Sequence, residues 1–496
     1  MDKFSKDTTI KEFPSISRKA ASEGIVLLKN EDNVLPLQDT DQVSLFGRCH
    51  IDYYKSGTGS GGAVNVLYSV NALEGLRNKN VNINEDLVSL YKQFIQDHPF
   101  DNGGGGWAME PWFQKEMELS KEIVKSAKDV SNKAIIFIGR TAGEDKDNQT
   151  TEGGYYLTQD ELSMIKEVTS VFEDVTIVLN VGNIIDMSFS VKYNDKIKSI
   201  LYAWHGGMEG GNALADVLCG DVTPSGKLAG TIAKEISDYP SDSNFGDDRV
   251  NLYEEDIYVG YRYFETFKKD SVLYPFGYGL SYTTFESTVI SSKVSDNEVV
   301  ISVEVINTGS VKGKEVIQVY VSAPQGQLGK PALELKAFKK TRELLPNDSE
   351  ILEIVIPKHR LASYDDGGYT GYKSAYVLEK GIYKLFIGNS VRNIEEATSF
   401  EVTKTIVISQ LREAMAPIKA LKRMKPGKQK ENGEYEITYH DVPQRMIDLE
   451  KRIQDSLPQE ILYTGDKGIQ LIDVFNKIYT LDQFIAQLTV DELIIL

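Results

Sequence analysis

Cysteine is nearly absent: Cys49 and Cys219 are the only two in 496 residues. That is too few for a disulfide framework and fits a reducing compartment more easily. Long apolar runs are lacking as well, with no stretch of about 18 residues able to span a bilayer. Positive charge is in deficit: 55 Lys and Arg stand against 73 Asp and Glu, a net charge of −18. Nucleic acid and anionic membrane both select basic faces, so neither is expected as a partner. The opening MDKFSKDTTIKEFPSISRKAAS carries no apolar core segment, so no secretory signal is expected, and the cytoplasm is the expected location. Five scattered histidines (His50, His98, His205, His359, His440) show no HxxxH or CxxC spacing, and no metal site is expected. A GxSxG elbow and a Walker lysine are missing too. What is present is 41% hydrophobic residues over a length that suggests two to four domains.

Residues 1–280 read as α/β. Short apolar runs at 43–47, 133–139, 175–181 and 197–204 suit buried parallel strands, and 114–131 and 158–172 between them have helical spacing. The alternation predicts an open, mostly parallel sheet covered on both faces. Thr158 followed by Glu161 resembles a capping box, and GDVTPSGKLAG (220–230) marks a turn into a further strand. From 281 to 410 the pattern changes. Runs at 299–306, 315–322, 333–341, 350–357 and 381–388 are β-branched and separated by turn residues, which predicts an all-β sandwich. Residues 411–496 read as a linker, charged at 424–436, followed by helical stretches at 442–457 and 480–496. The last segment, TVDELIIL, reads as an interrupted apolar run.

GTGSGG (57–62) matches the dinucleotide pattern G-x-G-x-x-G, yet it stands about ten residues beyond its strand. A glycine-rich turn whose backbone approaches a ligand or a neighbouring domain is the favoured reading. More telling is the segment from 137 to 162, which starts where a buried strand ends and carries Glu144, Asp145, Asp147 and Glu152 within a dozen residues. Open α/β sheets place ligand loops at that edge. Clustered carboxylates repel, so at least one pKa is expected to rise, and a carboxyl that keeps its proton can act as a general acid. Composition alone favours a solvated acidic loop.

Several blocks decide between these readings. EGIVLLKNEDNVLPL (23–37), GTGSGG, the Gly-Glu pair at 143–144, AWHGGMEGGNALADVLCGDVTPSGKLAGT (203–231), YVGYRYFET (258–266) and YPFGYGLSYTTFE (274–286) resemble glycoside hydrolase family 3, and within it the bacterial β-glucosidases. NTGSVKGKEVIQVYV (307–321), KPALELKAFKKT (330–341) and KSAYVLEKGIYKLFIGNS (373–390) resemble that family's fibronectin type III-like domain. The resemblance implies the branch with reversed domain order: an α/β sandwich over 1–280, a fibronectin-like sandwich over 281–410, then a lead-in over 411–496 to a (β/α)8 barrel for which no residues are left in this chain. The family's nucleophile is a barrel Asp in a Ser-Asp-Trp setting, a tripeptide this sequence does not contain.

The same resemblance places Glu144 at the acid/base position and Asp147 at the downstream acid. Asp145 stands where Gly is usual and Asn148 where Arg is usual; Asp145 is expected to push the pKa of Glu144 upward. Glu152 is the second candidate acid, or else a turn residue. Trp107, Trp112, Tyr155 and Tyr156 are candidates for stacking on the aglycone, or for core aromatics. Arg140 is a candidate bridge to the barrel, or a local salt-bridge partner. GGGG (103–106) implies a mobile loop. Glu209 is expected to shape a turn into a helix near Asn212, and Cys219 to be a small buried apolar residue. The function implied is retaining hydrolysis of terminal β-D-glucosyl residues with no cofactor, this chain supplying the acid/base half and being inactive alone. Its partners are then a β-glucoside or oligosaccharide and a barrel in cis or in trans. The alternatives are a non-catalytic carbohydrate-associated or assembly module paired with a separate barrel chain, or part of a β-xylosidase.

Overall fold

The computed structural model describes residues 10–62, 64–247, 249–413 and 415–496. Positions 1–9 of the polar opening segment lie outside the described residues. Two compact units result: residues up to Arg412 together with Ala420–Val442, and Glu413–Lys419 together with Pro443–Leu496.

Six strands build the first sheet: β1 (Val26–Asn30), β2 (Gln42–Phe46), β3 (Asn82–Ile83), β4 (Lys133–Arg140), β5 (Val175–Val181) and β6 (Ile197–Tyr202). Their spatial order is β1-β6-β5-β4-β2-β3, parallel throughout except for β1 on the edge. β4 and β5 are buried at every position, as strands covered on both faces must be. One core packs Phe46, Ile136, Ile138, Ile177 and Leu179 against the helices Lys121–Val130 and Gln159–Val171. The opposite core packs Leu45, Ile135, Phe137 and Val178 against the helices Ala72–Asn78 and Gly210–Leu218. Thr158 and Glu161 do form a reciprocal capping box, which satisfies two orphan N–H groups at the helix start. The helical stretch expected over 114–131 is shorter. It begins only at Lys121, because Ser120 caps it and Gln114 instead clasps the backbone of Asp101.

The strand order reverses between β2 and β4. The chain leaves β2 towards β3 on one side, then returns to build β4, β5 and β6 on the other. Loops leaving the carboxyl ends of two such neighbouring strands diverge and leave a crevice, where ligands of open α/β sheets bind.

Beyond a short pair, β7 (Ile232–Ala233) with β8 (Val272–Tyr274), the chain turns all-β. The strands β9 (Phe285–Val294), β10 (Glu298–Asn307), β11 (Val316–Ser322), β12 (Glu334–Lys340), β13 (Ser349–Pro357), β14 (Ser363–Asp365), β15 (Ala375–Leu378), β16 (Gly381–Ser390), β17 (Asn393–Val402) and β18 (Ile406–Gln410) follow. Sheets β13-β10-β9 and β12-β11-β16-β17 enclose one core of Val, Ile, Leu, Tyr and Phe side chains. A third sheet, β14-β15-β18, had no counterpart in the sequence reading. The sandwich is tied to the α/β part by Glu23, which accepts from Lys314 at 2.5 Å and from Lys340 at 2.9 Å, and by Arg392 donating to Glu265 at 2.9 Å.

The charged stretch 424–436 is not a linker. It lies in the antiparallel hairpin β19 (Lys422–Gln429) and β20 (Tyr435–Asp441). Met424 is buried against Tyr258, Phe264 and Phe267, which gives the hairpin its own apolar anchor. In the second unit the helices are Leu449–Ser456, Leu471–Phe475, Leu481–Ile485 and Val490–Ile495. They are shorter than the two expected stretches, and Thr489 caps a new start inside the second. Among the described residues no helix is long and apolar enough to cross a membrane.

Candidate active site

The crevice at the strand reversal is built from the loop after β2 and the loop after β4. Gly57 passes so close to the second loop that a Cβ there would lie 1.8 Å from the Ala142 carbonyl oxygen. Gly59, at φ +85°, would place one 2.3 Å from the Glu144 Cβ. Only glycine permits this approach. The GTGSGG pattern is thus the bed of the Glu144 loop. Thr58 completes the junction, its N–H donating to the Ala142 carbonyl at 2.6 Å.

Glu144 is exposed at the tip of its loop. Its Oε2 accepts from the Ser60 N–H at 3.0 Å and from the Ser60 hydroxyl at 2.7 Å. These two bonds, backbone first, hold the carboxyl below its ordinary pKa. The expected upward push from Asp145 is therefore not what governs Glu144. Asp145 sits at φ 55° and turns its carboxylate to the Trp107 indole, accepting from Nε1 at 2.7 Å. The family's usual Gly at this position fits that left-handed backbone, which Asp also tolerates. Replacing Ser60 with Ala should raise the Glu144 pKa towards the ordinary carboxylate range. Carbon-13 NMR titration of the Glu144 carboxyl checks this; an unmoved midpoint would contradict it.

Trp107 is 54% exposed beside this carboxylate pair, and Tyr156 is exposed as well. Tyr155 is buried and packs edge-on to Tyr156 at 5.1 Å, so it supports the loop without facing outward. Trp112 is half-buried under Lys146, whose ammonium lies 5.1 Å from the ring and also bonds the Ala108 and Glu110 carbonyls. The GGGG stretch forms a turn, with Gly103, Gly104 and Gly105 all at positive φ. Asn148, standing where the family carries Arg, donates to the Ile184 carbonyl at 3.0 Å and pins the loop to the one after β5. Asp147 is exposed. Glu152 accepts the Gln159 N–H at 2.6 Å, the role of a turn residue at a helix approach.

Arg140 is fully buried, and all five of its N–H donors are in use. It grips Glu161 at 2.5 and 2.6 Å and also donates to the carbonyls of Gly139, Gly154 and Tyr156. It is a local salt-bridge partner that closes the base of the Glu144 loop, with no donor left over for a ligand. Glu209 is likewise occupied, accepting from Tyr68 at 2.6 Å and Asn212 at 2.7 Å at the start of the helix Gly210–Leu218. Cys49 is the buried thiol; Cys219 is partly exposed, contrary to expectation, because it caps that helix at its carboxyl end.

Burial raises two carboxyls on the neighbouring loop, Glu110 and Glu116. Glu110 moves up, with one oxygen buried and unpaired. Glu116, fully buried, is pushed up to about 8 by desolvation, against the N–H groups of Met117 and Arg48. The folded state therefore binds a proton that the unfolded chain releases near pH 4.5. The stability this gives is complete below that value and is lost as pH rises through about 8. Urea unfolding should show wild type losing on the order of 4 kcal/mol relative to Glu116→Gln across that window. Parallel pH profiles would contradict the assignment.

Among the described residues no cluster of His, Cys, Asp and Glu could hold a metal ion. An exposed carboxyl on a loop braced from below, with an exposed indole held beside it by Asp145, is suited to moving a proton at a polar group. Comparison with known proteins accords with that chemistry. Residues 25–282 match the glycosyl hydrolase family 3 C-terminal domain, and residues 315–391 match a fibronectin type III-like domain. The chain belongs to glycoside hydrolase family 3. It is 46% identical over 482 residues to a β-glucosidase of Ruminococcus albus, covering 97% of this chain and 50% of that protein. A β-glucosidase A of Butyrivibrio fibrisolvens is 38% identical, over 96% of this chain and 64% of that one. Among solved structures, a β-glucosidase of Paenibacillus barengoltzii superposes with a TM-score of 0.94 at 53% identity, covering 99% of this chain and 54% of its own. The chain thus spans about half to two thirds of the length of these relatives.

Proposed function

We propose that this chain supplies the proton donor of a retaining β-glucosidase, with Glu144 as general acid and then general base. The attacking carboxylate belongs to a (β/α)8 barrel body joined in cis or in trans, and the 496-residue polypeptide is inactive alone. The observation that carries this reading is the exposure of Glu144 on a glycine-bedded loop at the strand reversal, beside Trp107. Support also comes from the relatives, each named a β-glucosidase.

Ser60 holds the Glu144 pKa down in the free chain, yet an acid must carry a proton. Retaining hydrolysis brings two carboxyls to about 5 Å. A second carboxylate at that distance, together with exclusion of water by the sugar, raises the pKa of Glu144. The free chain holds a base; assembly makes it an acid. When Glu144 protonates the departing glycosidic oxygen, the sugar passes to the barrel carboxylate. Glu144, now ionised, then takes a proton from the water that releases glucose. Trp107 and Tyr156 offer apolar faces to the aglycone.

The test is hydrolysis of p-nitrophenyl β-D-glucoside by the chain alone and after mixing with the barrel half of a reversed-order relative. Activity should appear only on mixing. Vigorous hydrolysis by the chain alone would overturn the assignment of the nucleophile to another body.

A further inference from the structure

A cavity of about 310 Å³ opens between segments that are far apart in sequence: the 256–262 stretch, the turn before β12, the 362–376 region and the hairpin β19–β20. It shares no residue with the Glu144 and Gly57–Gly62 loops. Its size lies at the lower end of ligand pockets, which run from about 300 to 1,000 Å³. Neither family match covers the hairpin wall, since the second ends at 391.

The walls are held firmly. Arg423 donates to Asp366 through both terminal nitrogens, at 2.7 and 2.9 Å. The Met424 N–H bonds the Glu254 carbonyl at 2.6 Å, and Lys425 reaches the Gln327 carbonyl at 2.6 Å. Lys330 is buried in an ion pair with Glu379. Around this frame stand three tyrosines, Tyr364, Tyr369 and Tyr376, exposed by 39%, 45% and 42%. Tyr364 and Tyr376 lie 5.2 Å apart at 49°, so their faces are splayed and not stacked shut. Arg262 lines the cavity, and no hydrogen bond or ion pair from its guanidinium is found among the described residues.

These features select a ligand chemistry. Four Lys and Arg side chains and His440 line the cavity against three carboxylates, and Lys330 and Arg423 are already neutralised by their partners. No field is left to favour an anion. Flat phenol faces suit the C–H face of a ring, and planar charged groups suit a rim of vicinal hydroxyls. A neutral pyranose presents both. We propose that this cavity is a second saccharide site, in which Tyr376 and Tyr364 receive the ring and Arg262 and the Arg423–Asp366 pair receive its hydroxyls. The site is independent of the proton transfer at Glu144. It tethers a pyranose unit to the fibronectin-like part of the chain.

Saturation-transfer NMR on the full chain, with methyl β-D-glucopyranoside and cellobiose as probes, tests this. Transfer to the sugar protons is expected, with millimolar affinity. Tyr376→Ala and Arg262→Ala should each weaken it by about tenfold, about 1.4 kcal/mol, and transfer to the cavity should persist in a Trp107→Ala background. Thermal melts identify a misfolded variant, and Tyr369→Ala replaces it. Absence of transfer to wild type, or loss with Trp107→Ala but not with the pocket variants, would overturn the proposal. Neither result bears on Glu144, whose test is hydrolysis.

Discussion

Glu144→Gln should lower kcat/KM on alkyl β-D-glucosides by about 100- to 10,000-fold in the assembled enzyme, the usual contribution of a positioned proton donor. The loss should depend on the leaving group. An alkoxide cannot depart without a proton, whereas 2,4-dinitrophenolate can. The glycosylation step on the dinitrophenyl glucoside should then survive the substitution, and the second step, which needs a base for water, should become rate-limiting. Pre-steady-state kinetics would show a burst of dinitrophenolate followed by slow turnover. An equal loss on both substrates would assign Glu144 to binding and not to proton transfer.

Arg140→Met should destabilise the fold by about 3 to 5 kcal/mol, the cost of leaving one member of a buried ion pair uncompensated. The stranded group is Glu161, which also closes the capping box of the helix Gln159–Val171. Loss of the bonds to the Gly154 and Tyr156 carbonyls should loosen the Glu144 loop in the same step. Urea denaturation measures the first effect and amide exchange over 141–157 the second. A double variant, Arg140→Met with Glu161→Leu, should recover much of the loss because no buried charge remains. A stability within 1 kcal/mol of wild type for Arg140→Met alone would contradict the buried-pair account.

Much of this architecture could be read from the residues. β5 falls on the apolar run at 175–181, and the Thr158–Glu161 box starts its helix where the capping pattern places it. Such features are local, so periodicity and capping chemistry reveal them. The hairpin Lys422–Asp441 escaped because its stability comes from tertiary partners: Met424 in a distant aromatic cluster and Arg423 on Asp366. Its own composition is that of a solvated linker.

The site divides the same way. Glu144 was legible as an acid on a loop after a buried strand, and GTGSGG as a close-approach turn. Their meeting was not, since it depends on the strand order β4-β2. Ser60 went unnoticed for that reason: 84 residues of chain separate it from the carboxylate it grips. A topology drawn with β2 and β4 as neighbours was the one signal able to bring them together. Arg140 shows the opposite limit. Its charge and its place at a strand end suggest an outward role, but only side-chain packing reveals that Glu161 holds it inside.

The most direct measurement is chemical rescue of Glu144→Ala in the assembled enzyme, with azide and the dinitrophenyl β-D-glucoside. Azide needs no base and fits the space vacated on the leaving-group side of the anomeric carbon. Turnover should recover, and the product should be the β-configured glucosyl azide, retained through the covalent intermediate. An α-configured azide would make Glu144 the nucleophile, and absence of rescue with an intact fold would remove it from the chemistry altogether.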